Sequence, residues 1–73
     1  MSDVIRQRLM EVTAMHPLHL RPDDFDATIL IRLAHMPEKK ALKALQRAAD
    51  TYWPSIDNNT RFLMSICCSI HRS

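Results

Sequence analysis

Pro54-Ser55-Ile56-Asp57-Asn58-Asn59-Thr60-Arg61-Phe62-Leu63-Met64-Ser65-Ile66-Cys67-Cys68-Ser69-Ile70-His71-Arg72 decides the fold class of this chain. Asp57, Asn58 and Asn59 are short polar side chains that can accept from the free N–H groups of a first helical turn. At 100° per residue, Phe62, Leu63, Ile66, Cys67 and Ile70 fall within an arc of roughly 140°, and Arg61, Ser65, Ser69 and Arg72 lie opposite. A helix with one greasy side has to dock that side onto something.

The residues upstream supply the partner surfaces. Asp50-Thr51-Tyr52-Trp53-Pro54 is a link that Pro54 keeps from being helical throughout. Before it, Pro37 suits the first position of a helix and Glu38 its positive end. Ala41, Leu42, Leu45, Ala48 and Ala49 face inward there, and Lys39, Lys40, Lys43 and Arg47 cluster on the opposite side. A further helix is expected from Asp23 or Asp24 through about His35, with Phe25, Ile29 and Leu33 as its main stripe. Ala27, Leu30, Ile31 and Ala34 extend its apolar character most of the way round, leaving Thr28, Arg32 and His35 as a wet edge, so this helix is expected to be central. The first helix runs from Ser2 or Asp3 to about Ala14, with Val4, Ile5, Leu9, Val12 and Met15 on one side, Met10 off that stripe, and His16-Pro17 as its stop. Between them, Pro17 to Pro22 forms a two-proline connector in which Leu18 and Leu20 alternate with His19 and Arg21, a pattern suited to lying across the core edge. The expected architecture is all-α, a compact bundle of four or five short helices forming a single helical interaction domain over residues 1–73.

Composition agrees. A chain of 73 residues is one domain at most, buries about 60% of its unfolded surface and has a stability on the order of a few kcal/mol. Its 47% hydrophobic content suffices for a small core, and glycine is absent. Without glycine, tight hairpins, P-loops and dinucleotide-binding loops are hard to build. The net charge of +2 points to no partner by itself. No apolar run approaches the ~18 residues of a membrane span, and residues 1–6 carry neither the basic nor the apolar region of a secretory signal. Cys67 and Cys68 are neighbours pointing about 100° apart, so they do not bond to each other, and a reducing compartment is the simplest setting. The expected location is intracellular, cytoplasmic or nuclear.

Enzyme-like readings find few parts. His16 and His19 with Cys67 and Cys68 are ligand types for zinc, but Pro17 separates the histidines and adjacent cysteines rarely reach one tetrahedral ion. No metal, cofactor or catalytic residue is expected. The carboxylates of Asp23-Asp24-Phe25-Asp26 are explained as helix-start residues. The row Lys39, Lys43, Arg47, at i, i+4 and i+8 with Lys40 beside it, can meet phosphates; the plain alternative is a solvated helix face. Tyr52 and Trp53 can stack on a base or anchor a partner, although a tryptophan in a linker more often closes the end of a bundle. Asn58-Asn59-Thr60 has the spacing of a glycosylation sequon and reads as a helix cap.

From Phe25 to Arg72 the chain resembles the N-terminal acidic domain of the heterogeneous nuclear ribonucleoprotein Q and R family. The likeness rests on Asp24-Phe25-Asp26, on Leu30, Leu33, Met36 and Pro37, on Ala41-Leu42 with Leu45, and on Ile56 to Leu63 with its Asn59-Thr60 and Phe62-Leu63 pairs. The resemblance implies an all-helical accessory domain that helps an RNA-binding protein bind RNA or recruit protein partners. This chain is mildly basic where the family domain is acidic. The expected function is a non-enzymatic helical module of a ribonucleoprotein meeting RNA or RNA-binding proteins, with Lys39, Lys40, Lys43, Arg47, Trp53 and Asn59 as contact residues. The alternative is a helical protein–protein adaptor or homo-oligomer with no nucleic-acid role.

Overall fold

Helix α1 (Asp3–Met15) begins where the Ser2 hydroxyl oxygen accepts from the Ile5 N–H at 3.3 Å, which satisfies one of the orphan donors of the first turn. The same hydroxyl donates to Glu38 Oε1 at 3.1 Å, tying this start to that of a later helix. The structure, a computed structural model, describes residues 2–72; positions 1 and 73 of the expected domain lie outside the described residues. Of the predicted stripe, Ile5, Leu9 and Val12 are buried, while Val4 and Met15 are exposed. His16 ends α1 as expected, its N–H returning to the Thr13 carbonyl.

The connector is not the extended, alternating stretch expected: residues 17–19 form a turn in which the His19 and Leu20 N–H groups donate to the His16 carbonyl at 3.2 and 2.8 Å, so the two leucines part. Leu20 is 1% exposed and belongs to the core, whereas Leu18 is 88% exposed. A single 3-10 turn follows at Pro22–Asp24, closed by the Asp24 carboxylate accepting from the Arg21 N–H at 3.0 Å. Helix α2 (Ala27–His35) therefore starts later than the sequence reading placed it. Its cap is Asp26, whose Oδ1 accepts from the Ile29 N–H at 2.9 Å. Helices α3 (Glu38–Ala49) and α4 (Asn59–Arg72) are separated by a second 3-10 turn at Trp53–Ser55. These four α-helices and two turns account for the regular structure among the described residues, with no strand. No described residue has positive φ, so every link is built from conformations open to non-glycine residues.

The expected central helix is not the central one. Helix α3 packs against both α1 and α4, and α2 packs on α4. The reason lies in side-chain size: α3 buries Ala41, Ala44, Ala48 and Ala49 around Leu45, and small residues at a contact let two neighbours approach one helix. Helix α2 buries only Ile29 and Leu33 from its own span and leaves Ile31 56% exposed. The closing helix does what its arc requires, burying Leu63, Ile66, Cys67 and Ile70 with Phe62 half-buried beside them. No described helix is long and apolar enough to cross a membrane.

Candidate functional site

The side of α3 opposite its alanines carries the candidate site. Lys39, Lys43 and Arg47 are exposed and their side chains make no hydrogen bond or ion pair among the described residues. At 1.5 Å rise per residue they form a row about 6 Å apart, about 12 Å from first to last. The α1 side of this row is fixed by polar contacts: Arg8 donates to Gln46 Oε1, and Gln46 Nε2 donates to Asp50 at 3.2 Å. The row thus sits on a helix held on its other side by the core, and its cations have not been consumed by neighbours.

The other predicted contact residues have structural duties. Lys40 is half-buried and its ammonium donates to the His71 carbonyl at 3.3 Å. A cation there satisfies a last-turn carbonyl of α4 and faces the negative end of its dipole. Trp53, named as a contact residue, is 1% exposed, which is the bundle-closing alternative. Its indole N–H donates to the Ala48 carbonyl at 2.9 Å. Its ring meets His16 and Phe62 edge-on, with centroids 6.3 and 5.7 Å away. Trp53 closes the bundle end and offers no face to a base. The accessible aromatic is its neighbour Tyr52, 73% exposed just beyond the C-terminal end of α3. The 3-10 turn starting at Trp53 sets which of the two goes inside.

Asn59 is likewise occupied. Its amide nitrogen donates to the His19 carbonyl and, at 3.0 Å, to Asp24 Oδ2. Thr60 donates to the Asp24 carbonyl at 3.1 Å, and Asn58 caps α4 by accepting from the Arg61 N–H at 3.0 Å. This clasp pins the start of α4 to the connector. Asn59→Ala is expected to cost about 1–3 kcal/mol by breaking it, lowering Tm by roughly 5–20 °C in a domain of this size; differential scanning calorimetry measures the change.

The residues weighed as metal ligands do not assemble. His16 Nε2 lies 2.8 Å from the Ala49 carbonyl, and since a carbonyl only accepts, that nitrogen carries the proton and donates. Among the described residues no three His, Cys, Asp or Glu side chains could share an ion. Burial, helped by the neighbouring Cys68, raises the Cys67 thiol above its ordinary value of 9.0, against a smaller opposing pull from Arg32. Cys68 is only half-buried. Iodoacetamide at neutral pH should therefore label Cys68 well before Cys67, as peptide mapping by mass spectrometry would record. A raised folded-state pKa means that the native state holds this proton more tightly, so the contribution is complete below pH 9 and is lost above it. The stability gap between the native sequence and Cys67→Ala should narrow as pH rises past 9.

A family model described as the heterogeneous nuclear ribonucleoprotein Q acidic domain matches residues 1–70. The match extends the likeness, read from Phe25 to Arg72, back through α1. No curated protein and no solved structure matches the chain.

Proposed function

The chain belongs to the heterogeneous nuclear ribonucleoprotein Q acidic-domain family, a non-catalytic ribonucleoprotein domain family, and on that premise we propose that it associates with RNA through the solvent face of α3. Lys39, Lys43 and Arg47 meet successive phosphates, and Tyr52 is the aromatic available to a base at the end of the row. The observation that carries this reading is the row of three exposed cations with no partner among the described residues, in a family whose domain is named for acidity and a chain whose net charge is +2. Unpaired cations in a row release counterions from phosphates, which gives affinity without sequence readout. The setting is RNA metabolism within the cell, nuclear or cytoplasmic.

Fluorescence anisotropy of a labelled single-stranded RNA, titrated with the chain from 50 to 200 mM salt, tests this. Three phosphate contacts predict a slope of about −2 for log K against log salt. A slope near zero, or no association at 50 mM, overturns the reading. The second reading, a protein–protein adaptor or homo-oligomer, draws on the apolar surface left outside at Ile31. Sedimentation at several concentrations, with and without RNA, separates the two.

A further inference from the structure

Helices α2 and α4 leave a groove between them whose lining includes none of Lys39, Lys43 and Arg47. Ile31, Arg32 and His35 line one side, Cys67 and His71 the other, and Met36 lies at the joint with α3. The cavity holds about 260 Å³, just under the roughly 300–1,000 Å³ of small-molecule sites. Met36 and Cys67 are buried residues of the core that border it, and Ile31 is exposed at its edge.

The electrostatics of this groove are one-sided. Its lining carries Arg32, His35 and His71, with the neutral Cys67 thiol among them, and no carboxylate. His35 Nδ1 lies 2.8 Å from the Ile31 carbonyl and so donates to it, which leaves Nε2 of the neutral ring as an acceptor and Arg32 as the donor for an anion. The His71 carbonyl, which would otherwise offer negative character at the end of α4, is covered by the Lys40 ammonium at 3.3 Å. An apolar recess whose one fixed charge is the Arg32 guanidinium, with no carboxylate among its described lining residues, complements one kind of ligand, a bulky apolar side chain flanked by carboxylates.

We propose that the α2–α4 groove docks a segment of a partner protein that inserts a large apolar side chain between flanking Asp or Glu residues. RNA fits this place poorly, because the aliphatic and sulfur-bearing groups of Ile31, Met36 and Cys67 gain nothing from a phosphate chain. A second copy of this chain fits poorly too. Its own acidic-apolar stretch, Asp23 to Asp26, is spent: Phe25 is buried, and Asp24 and Asp26 are held as turn and helix caps. The anchor in such a contact carries most of the affinity, and the rim sets which partner is accepted.

Heteronuclear NMR on the 73-residue chain, titrated with two synthetic 15-residue peptides, tests the proposal. Both peptides carry the same leucine anchors; one is flanked by Glu, the other by Lys. The Glu peptide should shift the signals of Ile31, His35, Met36, Cys67 and His71 while leaving Lys39 and Lys43 in place. Arg32→Glu, at an exposed position, should weaken the Glu peptide at least tenfold and admit the Lys peptide. Ile31→Ser, which removes the apolar edge without adding charge, should weaken the Glu peptide with circular dichroism unchanged. Equal affinity for the two peptides, or variants that stay folded and bind as before, would refute the docking site. Groove shifts that grow with protein concentration alone would assign it to a second copy, and shifts produced there by single-stranded RNA would assign it to nucleic acid; either result also overturns the proposal. The lysine row of α3 is read out by the salt dependence of RNA binding, so the two ideas fail separately.

Discussion

Trp53→Ala should leave this chain largely unfolded at 25 °C. The ring is buried, its N–H is the partner of the Ala48 carbonyl at 2.9 Å, and it makes edge-on contacts to His16 of the α1 terminus and Phe62 of α4. One side chain therefore joins the ends of α1, α3 and α4. Truncating a buried tryptophan costs about 3–5 kcal/mol, and a 73-residue helical domain has only a few kcal/mol of stability in total. Helical circular dichroism should collapse, and any residual transition should lie roughly 12–40 °C lower, at about 4–8 °C per kcal/mol. Trp53→Phe is the informative companion. It keeps a ring against His16 and Phe62 but withdraws the donor from the Ala48 carbonyl, so it should remain folded with a loss of about 1–3 kcal/mol. If the alanine variant instead melted cooperatively near the native Tm, the bundle end would have to be closed by something other than this ring.

The elements that were legible in the sequence are those fixed by local chemistry. The arc from Phe62 to Ile70 needs only 100° per residue to be read, and it is buried as that arithmetic demands. The prolines at 17, 37 and 54 mark the breaks, because a missing N–H and a locked φ act wherever they occur. What was not legible depends on tertiary distance. Asp23, Asp24 and Asp26 are equally good caps by type, and the 3-10 turn that uses Asp24 and sends Phe25 into the core leaves Asp26 to cap α2. The apolar breadth of α2 suggested a centre, but a centre also needs small residues where two helices approach, and those sit on α3. Lys39 and Lys40 are indistinguishable in sequence. They part because α4 ends beside one of them, 31 positions away along the chain. Asn59 was read as a cap or a contact because its real partners, His19 and Asp24, lie 40 and 35 residues upstream. Long-range clasps of this kind leave no periodic trace.

Reversing charge at Lys39 and Lys43 separates the α3 row from every structural duty just described. Both side chains are exposed and without a partner among the described residues, so no described buried group loses a contact. The local helix chemistry even favours the change: a carboxylate at position 39 lies near the positive end of α3, and one at position 43 stands four residues before Arg47, the favourable order for an ion pair. Tm should therefore stay within a few degrees of the native value. RNA association should not survive. The K39E/K43E chain loses two phosphate contacts, adds two repulsions, and ties up Arg47 with the new carboxylate. Affinity at 50 mM salt should fall at least tenfold, and the salt slope should flatten by about 1.4 or more for a single strand. Lys40→Gln provides the opposite pattern: it removes the ammonium from the His71 carbonyl, so it should lower Tm slightly while leaving the slope nearly intact. Arg61→Glu, on the exposed side of α4, controls for net charge, since it changes the total without touching the row. A folded K39E/K43E chain that bound RNA as tightly as before, with the same slope, would move the contact surface away from α3 altogether.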